Sequence, residues 1–332
     1  MTVSLSPTEL TTTPSDGTPE TYLVPGFVDQ HIHGAFGIDF MSANPSEMGD
    51  MADGLREKGY EFFLPTTVTA SAEAVLRSAD ALDHPMAPGF HLEGPFISQT
   101  YPGAQPPEYI LDPPASGSIW DRVFDHPKLR LITMAPELPG AIPLISRLDA
   151  RGVLVNYGHT NATYSELEAA FGAGLSGATH TFNAMRPLHH REAGAVGFAL
   201  TQSSIDCELI YDRVHVSTNA ARLLVQCKSK EHLVAISDAT MAAGLKEGTK
   251  LSMWGHDVVV GPGDVRLAGN GALAGSTITL ANAFKNLSED FGIEAATWAC
   301  SLNARRRLKL PAPKLWLEIA PDFTVVNSFS LA

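Results

Sequence analysis

Eight short apolar segments, separated by stretches with helical periodicity, are the feature of this sequence that most limits its fold. Most of them are continuous apolar runs, a pattern typical of parallel strands that are buried on both faces. The predicted strands are Leu23–Val28, Glu61–Pro65, Gly89–Leu92, Leu129–Met134, Gly152–Asn156, Gly177–His180, Glu208–Tyr211 and Leu233–Ser237. Eight strands with helices between them predict a (β/α)8 barrel of the TIM type, which we favour over an open doubly wound sheet.

Helical patterns fill most of the connections between these strands. The first predicted helix begins at an N-cap Ser46 and ends at Lys58, before Gly59. The other predicted helices are Ser71–Leu82, Pro139–Ala150, Ser165–Phe171, Thr218–Cys227, Thr277–Ser288 and Ile293–Ala299.

Two segments break the alternation of strands and helices. Residues Gly94–Ile119 contain six prolines and little periodicity, which indicates a functional loop or lid. Residues Lys246–Ala272 predict short strands, Leu251–Trp254 and Asp257–Val260, joined by glycine-rich turns.

The two ends of the chain differ from the barrel pattern. Residues 1–20 are rich in Ser, Thr and Pro and predict an arm or irregular strand, while Leu315–Asn327 predicts two short strands. We therefore expect residues 1–23 and 306–332 to form a small, reduced β-sandwich appendage beside a barrel of residues 24–305.

Composition narrows the class of protein. The chain has 332 residues, of which 44% are hydrophobic and 18% charged, which excludes a disordered chain. Its formal net charge of −13 argues against nucleic acid as a partner. Three cysteines without a C-x-x-C pair predict a reducing, cytoplasmic location. We find no signal-peptide pattern before Arg56 and no uncharged apolar run long enough for a membrane helix.

Imidazoles and carboxylates collect where predicted strands end. In a barrel, the carboxyl ends of the strands meet at one mouth. Neutral imidazole and carboxylate groups suit Zn, Fe or Mn, so we predict a site for a divalent metal ion there. The candidate residues are His31, His33, Glu93, His159, His180 and Asp238. Asp238 is the candidate proton carrier. His91 lies deeper on its strand, so we predict a structural role for it.

Several longer motifs accompany these residues. They are PGFVDQHIHG at 25–34, LPTT at 64–67, HLEGPF at 91–96, GHTNA at 158–162, THTFNAM at 179–185, DRVHV at 212–216, SDA at 237–239 and LAGS at 273–276. Together they resemble the amidohydrolase superfamily and, within it, the N-acetylglucosamine-6-phosphate deacetylase family. The resemblance covers residues 24–310.

The resemblance implies a role for each metal-binding candidate. Glu93, His159 and His180 would hold the main ion. His31 and His33 would hold a second ion, with Glu93 bridging the two. Asp238 would act first as general base and then as general acid.

The resemblance also implies a substrate pocket and a reaction. The reaction is hydrolysis of the N-acetyl group of N-acetylglucosamine 6-phosphate, a small amino-sugar phosphate. The pocket is completed by the neighbouring subunit of a homodimer, with Arg191 and His215 contacting phosphate and sugar. The implied substrate-binding residues are Ala104, Gln105, Asn183, Ala184, Arg191, Asp212, His215, Leu273, Ala274 and Gly275.

One departure from the family pattern leaves alternatives open. The family carries a G-x-H after the glutamate ligand, where this chain has Gly103, Ala104 and Gln105. Glutamine cannot carry a proton, although its amide still donates hydrogen bonds. Another N-acetylhexosamine phosphate, such as N-acetylgalactosamine 6-phosphate, an N-acyl-amino-acid substrate and a noncatalytic sugar-phosphate binding protein therefore remain alternatives.

Overall fold

Parallel strands form the centre of the molecule. The computed structural model describes residues 10–12, 21–261, 263–269, 271 and 273–330. The central strands are, in chain order, Phe27–Ile32, Tyr60–Pro65, Phe90–Glu93, Leu129–Met134, Leu154–Tyr157, Gly177–Ala178, Asp206–Ile210 and Leu233–Ile236. The first two pair with each other, and the last six form one sheet in chain order.

Two short parallel bridges connect these two groups of strands. Ile32 pairs with Ala239 on one side, and Thr66 pairs with His91 on the other. Backbone bonds reinforce both seams, because His33 N donates to Ala239 O at 2.8 Å and Thr67 N donates to His91 O at 2.9 Å. The eight strands therefore follow one another around a ring in chain order, which confirms the predicted TIM-like arrangement.

Helices surround the ring, and most of them bury one face against it, whereas Gly194–Thr201 is buried on all sides. The helix Pro45–Glu57 buries Met48, Met51, Ala52 and Leu55, which recur at helical spacing. The α-helices are Pro45–Glu57, Ala72–Ala81, Trp120–Phe124, Ala141–Ala150, Tyr164–Gly172, Gly194–Thr201, Thr218–Cys227, Leu280–Phe291, Ile293–Thr297 and Asn303–Arg307. Short 3-10 turns occupy Pro107–Tyr109 and Lys230–His232, and a π-helical turn occupies Trp298–Leu302. Within the described part of the chain, no helix combines the length and the apolar character needed to cross a bilayer.

The predicted strand Leu23–Val28 is wrong. The segment forms two strands separated by Gly26. Thr21–Pro25 belongs to a sheet outside the barrel, and Phe27–Ile32 is the first barrel strand. Gly26 crosses between them in a tight space, where an added Cβ would lie 2.9 Å from the Cβ of Glu61. Apolar character alone does not reveal such a crossing, since both strands are apolar.

Several element ends also differ from their predicted positions. The first helix is capped by Asn44 and not by Ser46, because Asn44 Oδ1 accepts from Glu47 N and Glu47 Oε2 accepts from Asn44 N. The sixth strand stops at Ala178, before His180, and the seventh begins two residues early at Asp206. The Pro139–Ala150 helix begins at Ala141, since Gly140 adopts a left-handed φ of 84°.

The irregular segments fold as two further sheets. The insert forms a four-stranded antiparallel sheet of Lys250–Met253, His256–Val260, Asp264–Leu267 and Leu273–Ser276. The termini form another, in the order Leu10–Thr12, Thr21–Pro25, Leu315–Ile319 and Val325–Ser330. A two-stranded ribbon joins Gly34–Ala35 to Ile38–Asp39. The sandwich form of the appendage and the division at 23/24 and 305/306 stay predictions, and residues 1–9, 13–20 and 331–332 lie outside the described residues.

A buried ionic network ties the last helix to the base of the barrel. The Arg307 guanidinium, 5% exposed, donates to Asp206 at 2.5 Å, to Asn156 Oδ1 at 2.7 Å and to Gln30 Oε1 at 3.2 Å. These partners come from three barrel strands. Because planar guanidinium donors have fixed directions, this one side chain sets the relative positions of those strands.

We predict that Arg307→Met strongly destabilises the fold, because it leaves the buried Asp206 carboxylate without its closest cation. Breaking such a buried pair costs about 3–5 kcal/mol. Arg306→Met removes an exposed partner of the same carboxylate and is expected to cost less than about 1 kcal/mol. Thermal unfolding of the two variants measures the difference, and equal melting temperatures would contradict the stabilising role of the Arg307 network.

Candidate metal centre

Five barrel strands deliver six functional side chains to one end of the ring. His31 lies in the first strand and His33 directly follows it, while Glu93 is the last residue of the third. His159, His180 and Asp238 each lie two residues beyond a strand end. These three adopt left-handed φ values of 47°, 31° and 47°, which non-glycine residues rarely occupy. Such local strain is typical of functional sites, and here it turns the side chains back into the mouth.

The first group of side chains meets at one oxygen of Glu93. Nε2 of His159 and Nε2 of His180 both lie 3.2 Å from Glu93 Oε1, and the two nitrogens are 3.0 Å apart. All three residues are at least 95% buried. The predicted main-ion group is therefore assembled around a single point.

The second group meets on the opposite side of the same carboxylate. Nε2 of His31 and Nε2 of His33 lie 3.3 Å apart, and each is 3.3 Å from Asp238 Oδ1. Glu93 connects the two groups, because Oε2 lies 3.2 Å from His33 Nε2 while Oε1 lies 3.5 Å from His31 Nε2. The predicted bridging position of Glu93 matches this geometry.

Hydrogen bonds on the far side of three rings set which nitrogen faces the centre. His33 Nδ1 lies 3.2 Å from the Thr66 carbonyl oxygen, and His159 Nδ1 lies 2.9 Å from the Tyr101 carbonyl oxygen. Because a carbonyl oxygen only accepts, both Nδ1 atoms must donate, so Nε2 is the atom that faces Glu93. It donates a hydrogen bond there when the ring is protonated and offers a lone pair to a cation when the ring is neutral. His31 Nδ1 is held in the same way by the carboxylate of Glu208 at 3.3 Å.

Glu208 supports both groups from beneath, and the sequence analysis missed it. Its Oε2 accepts from the His180 backbone N at 3.3 Å as well as from His31. Its Oε1 accepts from Gln30 Nε2 at 2.6 Å and from Asn156 Nδ2 at 3.1 Å. An acidic residue in the middle of the buried strand Asp206–Ile210 was the signal that could have identified it.

The electrostatics of the centre favour positive charge. Burial alone would raise the pKa of Glu93, but the charge of His31 and hydrogen bonds from His159 and His180 hold it well below its usual range. Burial also opposes ionisation of His33, yet bonds to Asp238 and Glu93 raise its pKa to about 9. The pKa of Asp238 is lowered as well, because the charge of His31 and the bond to His33 outweigh burial.

The donor set fits a divalent cation. Imidazole nitrogens bound to one tetrahedral Zn²⁺ at 2.0–2.1 Å lie about 3.3 Å apart, close to the spacings seen here. Lone pairs that face one another at this distance need a proton or a cation between them. Two sets of donors meet this need, one formed by Glu93, His159 and His180 and the other by His31, His33 and Asp238.

His91 has a structural role in the geometry, as predicted from its depth. It is fully buried below the centre, where Nε2 pairs with Thr133 Oγ1 at 2.7 Å and Nδ1 lies 3.3 Å from Thr66 Oγ1. Burial and the neighbouring charge of His31 hold its pKa well below the usual range. It is therefore a neutral ring that spaces the strands.

A cavity of about 180 Å³ opens above the two groups. The predicted residues that line it, beyond the metal-ligand candidates and Asp238, are Ala104, Gln105, Asn183, Ala184, His215, Leu273 and Gly275. Ala274 lies between two lining residues on a strand and faces the other way, into the apolar core of the insert. Ile210 and Trp254 also line the cavity, and the sequence analysis missed both.

Asp212 acts on the cavity through His215. Its Oδ2 pairs with His215 Nδ1 at 2.5 Å, and its Oδ1 accepts from the backbone N atoms of Val214 and His215. Burial would lower the pKa of His215, but the bond to Asp212 raises it overall. Asp212 therefore orients and charges His215 and does not itself line the cavity.

Arg191 lies apart from the cavity lining. It is exposed, and its Nη1 donates to His190 Nε2 at 2.8 Å. His189 and His190 are exposed beside it, as expected for solvated loop residues. The predicted contact of Arg191 with phosphate stays a prediction.

Known proteins similar to this chain share one chemistry. The chain is 33% identical over 299 residues to the N-acetylglucosamine-6-phosphate deacetylase of Lysinibacillus sphaericus, covering 87% of this chain and 77% of that protein. It is 36% identical over 282 residues to the N-acetylgalactosamine-6-phosphate deacetylase of Escherichia coli O157:H7, covering 82% and 74%. No model of a protein family matches the chain.

Solved structures agree with these relatives. A mutant N-acetyl-D-glucosamine-6-phosphate deacetylase from Mycobacterium smegmatis, in complex with N-acetyl-D-glucosamine-6-phosphate, superposes with a TM-score of 0.89 and 32% identity over 93% of this chain and 86% of that one. The Thermotoga maritima enzyme superposes with a TM-score of 0.86 and 30% identity, over 98% and 92%. On this likeness in sequence and fold, the chain belongs to the N-acetylglucosamine-6-phosphate deacetylase family.

Proposed function

We propose that the protein is a metal-dependent deacetylase that hydrolyses N-acetylglucosamine 6-phosphate to glucosamine 6-phosphate and acetate. The observation that carries this proposal is the convergence of four imidazole nitrogens on the Glu93 carboxylate at the floor of a cavity, with Asp238 beside them. Relatives named for this reaction are 31–35% identical over most of the chain.

The metal-binding residues have a clear division of work in this proposal. Glu93, His159 and His180 hold the main ion, and His31 with His33 hold a second one when it is bound. A divalent cation supplies two effects there, lowering the pKa of water towards ~7 and polarising an amide carbonyl. The candidate ions remain Zn, Fe and Mn, because all three accept this mixture of nitrogen and oxygen donors.

Asp238 moves the proton. Its lowered pKa keeps the carboxylate ionised, so it can accept a proton from the attacking water. It then returns that proton to the amide nitrogen, and the carbon–nitrogen bond breaks to release acetate and the free amine. Its left-handed backbone brings the carboxylate to the cavity wall beside both metal groups.

Substrate recognition is shared among the cavity walls. Asn183 and Ala184 present amide and backbone groups, and the imidazole of His215 offers a hydrogen bond or a positive charge. Among the described residues that line the cavity, none is a lysine or arginine. We therefore propose that Arg191, which lies outside the lining of this cavity, and a second copy of the chain, in a cytoplasmic homodimer, complete the phosphate site.

A galactosamine substrate is the second candidate. It is favoured by one observation, the 36% identity to an N-acetylgalactosamine-6-phosphate deacetylase. The two sugars differ only in the configuration of one hydroxyl group.

A substrate panel tests the proposal directly. Purified, zinc-loaded protein is assayed for acetate release from both N-acetylhexosamine 6-phosphates, from the same sugars without phosphate and from N-acyl amino acids. We expect turnover of a sugar phosphate with loss of rate when phosphate is absent. Binding of the sugar phosphates without any acetate release would favour the noncatalytic alternative and contradict the proposal.

Removal of the metal should abolish turnover reversibly. We expect a chelator to eliminate acetate release and Zn²⁺ to restore it, because Glu93, His159 and His180 form the binding site of the ion. His159→Ala should lower the zinc content, and added Zn²⁺ should not restore its acetate release. The control is His126→Ala, at a histidine far from the centre that pairs with Asp80, and it should leave zinc content and acetate release unchanged. Elemental analysis and the acetate assay measure this; full activity after complete metal removal would exclude a metal role.

Asp238→Asn should separate chemistry from binding. The amide cannot accept the proton, so kcat should fall by about 10²–10⁴-fold. Zinc at the Glu93 group and the Kd for substrate should change little. Asp112→Asn, an exposed carboxylate in the long loop, is the matched control. A variant that retains more than a tenth of the wild-type kcat would show that Asp238 is not the base.

Asp212→Asn should change the pH dependence of KM. Because the folded pKa of His215 is raised, its imidazolium persists above the usual pH of 6.5 and is lost only as the pH rises through that higher value. Asparagine keeps the backbone contacts of Oδ1 but removes the charge, so the loss occurs at lower pH. We expect the rise of KM for the sugar phosphate with pH to begin at a lower pH in the variant than in the wild type; superimposable pH profiles would contradict the role of this pair.

A further inference from the structure

Gln105 is the one polar side chain from the long loop Gly94–Ile119 that contacts a metal-ligand carboxylate in the described structure. It is 6% exposed and lines the cavity. Its Oε1 accepts from the Thr69 backbone N at 2.7 Å. A backbone N–H only donates, so the oxygen must face Thr69 and the amide nitrogen must face the other way.

The amide nitrogen is aimed at the metal centre. Gln105 Nε2 donates to Glu93 Oε2 at 2.7 Å, a short bond to an ionised acceptor. With both ends of the amide engaged, the side chain cannot rotate away without leaving Thr69 N or Glu93 Oε2 unpaired in a buried site. The bond is thus a fixed property of the centre.

This bond makes the two oxygens of Glu93 unequal. Oε1 faces His159 and His180 at 3.2 Å and accepts nothing from Gln105. Oε2 faces His33 at 3.2 Å and also accepts the Gln105 amide. A hydrogen bond occupies a lone pair and withdraws charge, so Oε2 is the poorer donor to a cation.

We propose that Gln105 is a positioning residue that makes the two cation sites unequal, favouring the Glu93 Oε1 site with His159 and His180 over the His31, His33 and Asp238 site. The inference rests on the metal-dependent function proposed above. A tight main ion and a weak second ion follow from it.

The inequality has a consequence for the proton carrier. Asp238 Oδ1 faces His31 and His33 and is a candidate ligand of the second ion. When the second site is empty of metal, the Asp238 carboxylate is not tied up as a ligand and is free to accept a proton. By weakening the second cation site, Gln105 thereby keeps the Asp238 carboxylate available as the general base.

Two substitutions of similar length test the inference. Gln105→Met removes both hydrogen bonds, and Gln105→Glu keeps an acceptor for Thr69 N while replacing the donor with a negative charge. Zn²⁺ is titrated calorimetrically into metal-stripped protein, and the two dissociation constants are fitted. Glu108→Gln, an exposed residue of the same loop, is the control for a general change of loop charge.

We expect the wild type and the Glu108→Gln control to bind a first zinc ion much more tightly than a second. The dissociation constant of the second ion divided by that of the first should fall about tenfold in Gln105→Met, because one hydrogen bond to a charged acceptor is lost. The same ratio should fall further in Gln105→Glu. A residue that only supported the fold would weaken both ions in parallel, so an unchanged ratio in both variants overturns the inference.

The experiment separates this inference from the function on which it rests. If wild-type protein binds no Zn²⁺, both the metal-dependent function and the inference fail. If zinc binds and the loaded protein releases acetate, but the ratio is the same in all four proteins, only the role of Gln105 is lost.

Discussion

The buried carboxylate of Glu93 is the interaction on which the rest of the site depends. Four imidazole nitrogens, carried by three strands, face it within 3.5 Å, and most of those rings are held from behind by acceptors that turn Nε2 inward. Such an arrangement of buried donors is stable only with positive charge at its centre. The closed ring of strands makes it possible, because residues 62 to 207 positions apart in the chain, such as His31 with Glu93 and Asp238, meet at one rim.

The walls of the cavity come from the segments that interrupt the barrel pattern. Trp254, at the tip of an insert hairpin, packs edge-on against His33 with 5.0 Å between ring centres and donates from its indole to Asp39 Oδ2 at 2.8 Å. The long loop contributes Gln105 and, through the Tyr101 carbonyl, the support of His159. The insert and the loop are therefore parts of the site and not decorations of the fold, and together they enclose the floor formed by the strands.

The sequence predicted the parts of the structure that follow from local periodicity. Parallel strands buried on both faces leave continuous apolar runs, and polar residues just beyond such runs, such as His159 and Asp238, stand out. The predicted ligand candidates consequently lie together. Family resemblance added Asn183 and His215 to the cavity, which spacing alone could not have placed there.

Other features depend on contacts between distant segments, and these the sequence could not reveal. The sequence does not show the crossing at Gly26, because a single apolar run supplies one strand to each of two sheets. Glu208 resembles an ordinary strand residue until its side-chain partners on two other strands, Gln30, His31 and Asn156, are known. The predicted contact of Arg191 with phosphate stays a proposal, because Arg191 lies outside the cavity lining of the single chain.

Anomalous X-ray diffraction at the zinc edge from crystals of the zinc-loaded protein tests the central claim most directly. The account predicts a strong peak at 2.0–2.2 Å from Glu93 Oε1, His159 Nε2 and His180 Nε2, the distances that zinc makes to oxygen and nitrogen ligands. A fully loaded crystal with its zinc elsewhere, or with no peak between these three atoms, would contradict it.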